Sequence, residues 1–492
     1  MGGRVEDGVR VGAIVSAAAV AMAAATPANA EWLRAETDNF VVYGEGRPDD
    51  LRRHAEKLER FDAMMRRQFG IGAAEGARKL PVYLVYTGRE LREIHPGLPE
   101  GAAGFYSASE IDVYAALNRR SGDDVLLHEY AHHFMYQNFP GAYPGWFTEG
   151  FAEFFMTATV ENADAVKVGY FNQGRLNVLN HVAWIPMETL LTARPRQLQQ
   201  RYARAAFYSQ SWLLTHYLVM DPERRRGLDA YLAAVGRGTP EAEALKTHLG
   251  HDYASLEAAL RAYLRGRMGY AEADLSDVHP EVRFAALPAS ADRLLFDSLT
   301  IRYPKSPQEI QELLPRIRAD AAPYPEDPLA LTTLARAEFQ WGDAEAGEAA
   351  LAKVLSITPD DPEALQLAAN RRVMQSREAT DEAARLILVN EARGYLARAV
   401  QAAPTDYRIY LALARTRRGA TGYPNDNDLQ TWRLAVAYAP QVMGIRQEAA
   451  EALRAGGRED EARAVLQAVA NNPHSDGRTA LPEGAQSGAD AR

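Results

Sequence analysis

The chain has 492 residues, enough for two or three domains with a core each. A formal net charge of −10 leaves no basic footprint for nucleic acid, and 47% apolar with 24% charged residues is a globular make-up. There is no cysteine, which excludes disulfides, thiolate metal ligands, a cysteine nucleophile and a lipid-modified N-terminal cysteine.

Residues 11–25 are an almost unbroken run of small apolar residues, followed by Ala28-Asn29-Ala30. About fifteen such residues fall short of a bilayer span, and A-x-A is a cleavage pattern. The reading is a signal peptide over 1–30 and an exported bacterial chain, periplasmic or secreted, beginning near Glu31. Glu6 and Asp7 offset Arg4 and Arg10, so a retained anchor is the alternative. No other stretch approaches transmembrane length.

From Trp32 the pattern is α+β. Residues 39–43 (Asn-Phe-Val-Val-Tyr), bounded by Gly44, read as a strand. Residues 49–69 carry Leu51, Leu58, Phe61, Met64 and Met65 at helical spacing and stop at Gly70. Residues 80–86 read as a buried strand, and residues 102–105 with 111–115 as a hairpin around residues 107–110.

Next comes His128-Glu129-Tyr130-Ala131-His132, led in by Asp123 and Asp124 and closed by Pro140 and Gly141. Leu126, Leu127, Tyr130, Ala131, Phe134 and Met135 supply helical periodicity. Positions i and i+4 share a helix face, so His128 and His132 can aim two imidazoles at one point. Catalytic zinc takes three protein ligands, with imidazole nitrogen at about 2.0–2.1 Å. Glu129, beside the first histidine, is placed to act as general base on the water that such a metal activates. A second helix starts at Pro144-Gly145-Trp146-Phe147-Thr148-Glu149-Gly150-Phe151-Ala152-Glu153, sixteen residues intervening between His132 and Glu149. A carboxylate among Trp146, Phe147, Phe151, Phe154 and Phe155 is costly to bury unless paired or metal-bound, which makes Glu149 the third-ligand candidate.

This pair of segments resembles the gluzincin zinc peptidases, and W-x-x-E-G-x-A over residues 146–152 is most similar to their aminopeptidase-N-like branch. The resemblance covers roughly residues 30–265, and only the two zinc segments are specific. It implies a thermolysin-like zincin domain binding Zn2+ through His128, His132 and Glu149. The spacing is slightly shorter than the family's usual one, which leaves Glu153 as a competing ligand. Its other role is to accept the free N–H of a ligand histidine. In gluzincins the edge strand of the sheet lies along the cleft and pairs with the substrate backbone. Residues 111–115 (Ile-Asp-Val-Tyr-Ala) are the candidate for that strand, the alternative being an ordinary hairpin strand.

Residues 205–220 read as a helix carrying Tyr208. By the same resemblance, a tyrosine at about this distance donates its hydroxyl to the oxyanion of the tetrahedral intermediate. Tyr208 matches, with Tyr202 and Tyr217 as spares, or is simply a half-buried core residue. His216 and His181 have no partner pattern, and His133 points away from His128 on the helical wheel. The family's aminopeptidases carry a glutamate motif that grips the substrate amine. Residues 101–106 (Gly-Ala-Ala-Gly-Phe-Tyr) do not match it, so the resemblance implies an endopeptidase rather than an aminopeptidase.

After a helix at residues 253–264 the catalytic domain is expected to close near residue 267. A connecting segment over 268–305 follows, with a β-like run at 293–301. From 306 to 473 the composition is rich in Ala, Leu and Arg, and prolines recur at Pro328, Pro362, Pro404, Pro440 and Pro473. The spacing resembles tetratricopeptide repeats, whose period is 34 residues. Leu331, Ala335, Gly342, Ala349, Leu355 and Pro359 fit one unit, and Ala450, Leu453, Gly457, Ala462, Leu466 and Pro473 another. The middle units are irregular at residues 375–388 and 419–428. A plain α-helical domain is the alternative. The tail over 474–492 is polar and expected to be disordered.

Two functions fit these features. One is an exported zinc peptidase acting on a peptide or protein substrate, with a protein partner held by the repeats. The other is a retired zinc domain in an envelope scaffold that works through its repeats. Retention of Glu129 beside both histidines favours the first, since a base has no value without chemistry.

Overall fold

A computed structural model describes residues 32–72, 77–98, 100–122, 124–160 and 165–467. The leader expected over 1–30 and the tail expected over 474–492 lie outside the described residues. Among the described residues no helix is long and apolar enough to cross a membrane.

Trp32–Glu36 (β1) and Phe40–Glu45 (β2) form a hairpin that leads into Pro48–Phe69 (α1). Pro48 takes a first-turn position whose N–H would be unpaired anyway. Gly70, at φ 64°, adopts the left-handed conformation and donates to the carbonyls of Arg66 and Arg67. Leu80–Val85 (β3), Gly88–Ile94 (α2), Gly104–Ala108 (β4) and Val113–Asn118 (β5) complete the front of the fold. Asp124–Asn138 (α3) and Gly145–Phe155 (α4) are the two motif helices. Ala165–Val168 (β6), Gln173–His181 (α5), Met187–Thr192 (α6) and Arg201–Val219 (α7) follow. Then come Pro222–Gly236 (α8), Glu241–Ala244 (α9), Tyr253–Arg265 (α10), Ala271–Asp274 (β7), Arg283–Ala286 (β8) and Ala291–Thr300 (α11).

The main sheet has the order β4-β5-β3-β2-β1-β8, and β6 pairs with β7 in a separate ribbon. The β2–β3 and β3–β5 pairs are parallel and the others antiparallel. Successive side chains alternate between two buried faces. Val82, Leu84, Val113, Ala115 and Leu117 join a core with α1, α3, α4 and α7. Tyr83, Val85, Tyr114 and Ala116 join a second core with α2 and α11.

Three expectations change here. The edge strand beside the motif helices is β4, whereas the expected residues 111–115 divide between a turn and the interior strand β5. The physical reason is burial on both faces: Val113 through Leu117 are all buried, the pattern of a central strand. The run at 293–301 is helix α11, not β. Its Leu294, Leu295 and Leu299 bury at helical offsets, and a short apolar run does not fix its own period. The stretch expected to connect two domains also supplies β8, which extends the sheet by pairing with β1.

The remaining helices are Pro307–Ala321 (α12), Pro328–Trp341 (α13), Ala344–Ile357 (α14), Pro362–Glu378 (α15), Glu382–Ala402 (α16), Tyr407–Arg417 (α17), Asp426–Tyr438 (α18), Met443–Ala455 (α19) and Glu459–Gln467 (α20). Asp327, Asp343, Asp361, Asp381 and Asp406 each cap the helix that follows, accepting from its first-turn N–H groups. The helices pack as consecutive pairs in a tetratricopeptide-like array, and α15 starts 34 residues after α13. Gly347 lies where α13 and α14 approach, and a Cβ there would stand 2.6 Å from the Phe339 ring. The long α15–α16 pair and the turn before α18 account for the two irregular stretches.

The array curls back onto the sheet. Tyr407 donates its hydroxyl to the Ser109 carbonyl at 2.7 Å, and Arg415 pairs with Glu110. Beneath the same β4–β5 turn, Asp112 lies 2.7 Å from Arg78, 3.4 Å from Arg302 and 3.6 Å from Arg408. Glu363 on α15 meets Arg302, Arg336 and Arg408 at 3.1, 3.2 and 2.6 Å. The first hydrophobic core continues into α17–α19 through Tyr407, Leu411, Trp432 and Ile445. Three carboxylates, counting Asp406, and four guanidiniums form this cluster, which with the Glu110–Arg415 pair ties the hairpin turn to the array, and the repeats share a core with the sheet.

Candidate metal centre

Helix α3 is held down by Leu126, Leu127, Tyr130, Ala131, Phe134 and Met135, all buried. That side fixes the azimuth of the opposite one. His128 and Glu129 come out half-buried, and His132 is 3% exposed. Helix α4 crosses beside it with Glu149 1% exposed. Its close neighbour is α7, and Gly150 makes that approach possible. A Cβ at Gly150 would stand 2.5 Å from the Ser211 carbonyl oxygen and collide with Thr215 Oγ1. The glycine beside the glutamate therefore sets how near α7, and Tyr208 on it, comes to Glu149.

The ligand atoms converge. His128 Nε2 and His132 Nε2 are 3.2 Å apart, and Glu149 Oε2 lies 3.7 Å from the first and 3.5 Å from the second. Tetrahedral ligands about 2.0–2.1 Å from one ion lie about 3.3–3.4 Å from each other, so this triangle fits zinc. Among the described residues, His128, His132 and Glu149 form the group of potential ligand atoms close enough to share an ion. The electrostatics agree. Burial opposes a charge on His128, yet Glu149, Glu153 and Glu129 outweigh it and raise the imidazole to about 9. Three carboxylates thus favour positive charge at this spot.

The other expected residues take distinct places. Glu153 Oε1 lies 3.7 Å from His128 Nδ1, on the side away from the triangle, so its carboxylate faces the outer nitrogen of that imidazole rather than the centre. Tyr208 on α7 is half-buried, and its phenol is raised by the charge of Glu149, then by burial and by Glu153. Its hydroxyl therefore remains a donor. The negative charge of Glu129 also helps to raise both His128 and Tyr208. Of the spare tyrosines, Tyr202 is exposed and Tyr217 lies under Arg224, 4.0 Å from ring centre to guanidinium. His133 accepts or donates at Nδ1 with the Tyr106 hydroxyl at 3.0 Å, and burial with Arg78 and Arg66 lowers it to about 3. His216 is buried between Tyr263 and the Gly169 carbonyl, and His181 turns its Nδ1 to the Asn177 carbonyl.

One side chain at the site has no counterpart in the sequence reading. Arg175 on α5 grips both oxygens of Glu153, with Nε to Oε2 at 2.7 Å and Nη2 to Oε1. Its guanidinium carbon is 5.4 Å from the Tyr208 ring centre. No local pattern marks it, because its partner is 22 residues away on another helix.

No protein-family model matches the chain, and no curated protein matches it. Among solved structures it is similar to TTC0263, a thermophilic TPR protein of Thermus thermophilus, at 20% identity over 38% of this chain and 93% of that one, with a TM-score of 0.32. It is also similar to MamA, at 14% identity over 33% and 89%, with a TM-score of 0.27. The MamA RS-1 ArsTM double mutant gives 18% identity over 37% and 94%, with a TM-score of 0.28.

Proposed function

We propose that this chain is an exported zinc-dependent peptidase of the gluzincin kind, with a thermolysin-like catalytic region and a tetratricopeptide-like array that holds a protein partner. The observation that carries the reading is the convergence of His128 Nε2, His132 Nε2 and Glu149 Oε2 on one buried point, with Glu129 between the two histidines on α3 and Tyr208 on α7, the helix packed against α4. Zinc held there supplies Lewis acidity toward a carbonyl and makes water a nucleophile near neutral pH. Glu129 takes the proton from the attacking water and passes it to the leaving amine nitrogen. Tyr208 donates its hydroxyl to the carbonyl oxygen as negative charge develops, a contribution of about 2.7–4 kcal/mol for such a donor. Residues 101–106 lack the amine-gripping glutamate motif, which favours internal cleavage over removal of N-terminal residues.

The test compares wild type with Glu129→Gln on an unfolded, internally quenched peptide. Turnover is expected in the first and a loss of at least about a hundredfold in the second, with the metal retained in both. Loss of metal from Glu129→Gln would make that residue a ligand and overturn the roles.

A second reading is a retired site in an envelope scaffold working through the array. What favours it is the array itself, whose helix pairs are a protein-binding architecture and share a core with the sheet. That reading requires wild type to hold no stoichiometric metal and to cleave nothing at the Glu129-dependent level.

A further inference from the structure

Arg175 is tied into the site at both ends. The Asn172 side chain accepts the Arg175 backbone N–H at 3.1 Å and so caps α5, fixing where the helix begins. Leu179, further along α5, is buried in the first core and seats the helix. From this base the guanidinium holds both oxygens of Glu153, a carboxylate only 1% exposed. Oε1, one of those oxygens, faces His128 Nδ1 at 3.7 Å. The other ring nitrogen, Nε2, is the one that faces Glu149 and His132. The guanidinium, whose N–H edge meets Glu153, also stands over the Tyr208 ring.

A histidine ligand offers a lone pair at one nitrogen only when the other carries the proton, and an acceptor aimed at that proton fixes both tautomer and ring angle. A buried glutamate supplies that acceptor dependably only if something prevents it from rotating, and a bidentate arginine does so with directed bonds. We propose that Arg175 is a positioning residue for the metal centre: through Glu153 it orients His128 with Nε2 toward the ion, and by its contact with the Tyr208 ring it holds the hydroxyl donor in place. The proposal rests on the metal-centre reading above. Arg175 touches neither ligand atoms nor reacting atoms. A salt bridge that merely seated α5 on α4 would leave metal affinity unchanged.

The experiment measures zinc affinity by chelator competition, and the visible spectrum of the cobalt-substituted protein, for wild type, Arg175→Gln, Glu153→Gln and the double variant. Thermal melts confirm folding. Arg175→Gln is expected to weaken zinc binding about 10–100-fold and to alter the cobalt bands. The double variant is expected to fall little further than either single one, because both changes break one relay. Arg175→Lys, which keeps the charge but loses the fork, should lie between wild type and Arg175→Gln. It also serves as the test if Arg175→Gln does not fold. Affinity within about twofold of wild type in a folded Arg175 variant, or fully additive losses in the double variant, overturns the proposal and leaves the metal centre standing. Wild type that binds no zinc overturns the metal centre and this proposal with it.

Discussion

Asp112 is the residue whose loss should most disturb the join between sheet and array. It is 7% exposed and faces Arg78, Arg302 and Arg408, whose side chains are themselves largely covered. Asp112→Asn preserves shape and removes one negative charge from a cluster in which guanidiniums already outnumber carboxylates. Breaking one partner out of a buried ion pair costs about 3–5 kcal/mol, and the slight exposure of these arginines puts the expected loss near the lower end. The assay is urea unfolding followed by two signals, helical circular dichroism and tryptophan fluorescence. Wild type should show coincident transitions, because the array and the sheet share a core. Asp112→Asn should shift the midpoint down and split the two signals as the array loosens from the hairpin turn. A change under about 0.5 kcal/mol, with transitions still coincident, would refute the idea that this charge cluster fastens the two parts. The same cluster sets an acid limit. Burial opposes the charges on Asp112 and Glu363, but Arg78, Arg408 and Arg302 outweigh it at Asp112 and Arg302, Arg408 and Arg336 at Glu363, so both carboxyls are held below their ordinary values. Folding then excludes protons, so the stabilisation is present above the unfolded carboxylate range. It fades as pH falls through that range toward the lower folded values. Splitting of the two signals should therefore appear in wild type on acidification below about pH 4 and not on raising the pH to 8.

Other substitutions probe the site itself. Glu149→Ala should empty the metal centre, whereas Glu153→Ala should weaken zinc binding only about 10–100-fold; the reverse order, read by metal analysis after dialysis, would exchange their roles. Tyr208→Phe should leave metal content and melting temperature unchanged and lower kcat by about a hundredfold or more, with peptide turnover as the readout. Gly150→Ala should destabilise the chain by about 1–3 kcal/mol in the urea assay, because the added methyl drives α4 off α7.

Much of this was legible in the residues, for reasons that differ from place to place. Helix α1 carries its own start and stop signals in Pro48 and Gly70, and the period of α3 is set by one continuous apolar side. The convergence of His128, His132 and Glu149 could be read because the two histidines lie one helical turn apart and the glutamate sits in an aromatic setting that favours a paired carboxylate. Strand β8 could not be read. Its Arg-Phe-Ala-Ala run is short, and its place in the sheet depends on a partner some 250 residues earlier. The edge strand was misjudged because Ile111 and Asp112 directly precede the apolar run of β5 in sequence while turning the chain in space. Ser109 Oγ, accepting the N–H groups of both residues, is what makes the turn. The arginine cluster was invisible for another reason. Arg78, Arg302, Arg336 and Arg408 stand singly on four separate segments, and each looks like an ordinary solvated charge until the array closes on the hairpin.

The account depends most on the ion that the three side chains would hold, so metal content of the purified chain, never exposed to chelator, is the decisive measurement. About one equivalent of zinc per chain in wild type, and almost none in His128→Ala and Glu149→Ala of equal helicity, is the predicted result. Less than about half an equivalent in wild type, or the same content in wild type and Glu149→Ala, would contradict it and leave the array as the working part of the protein.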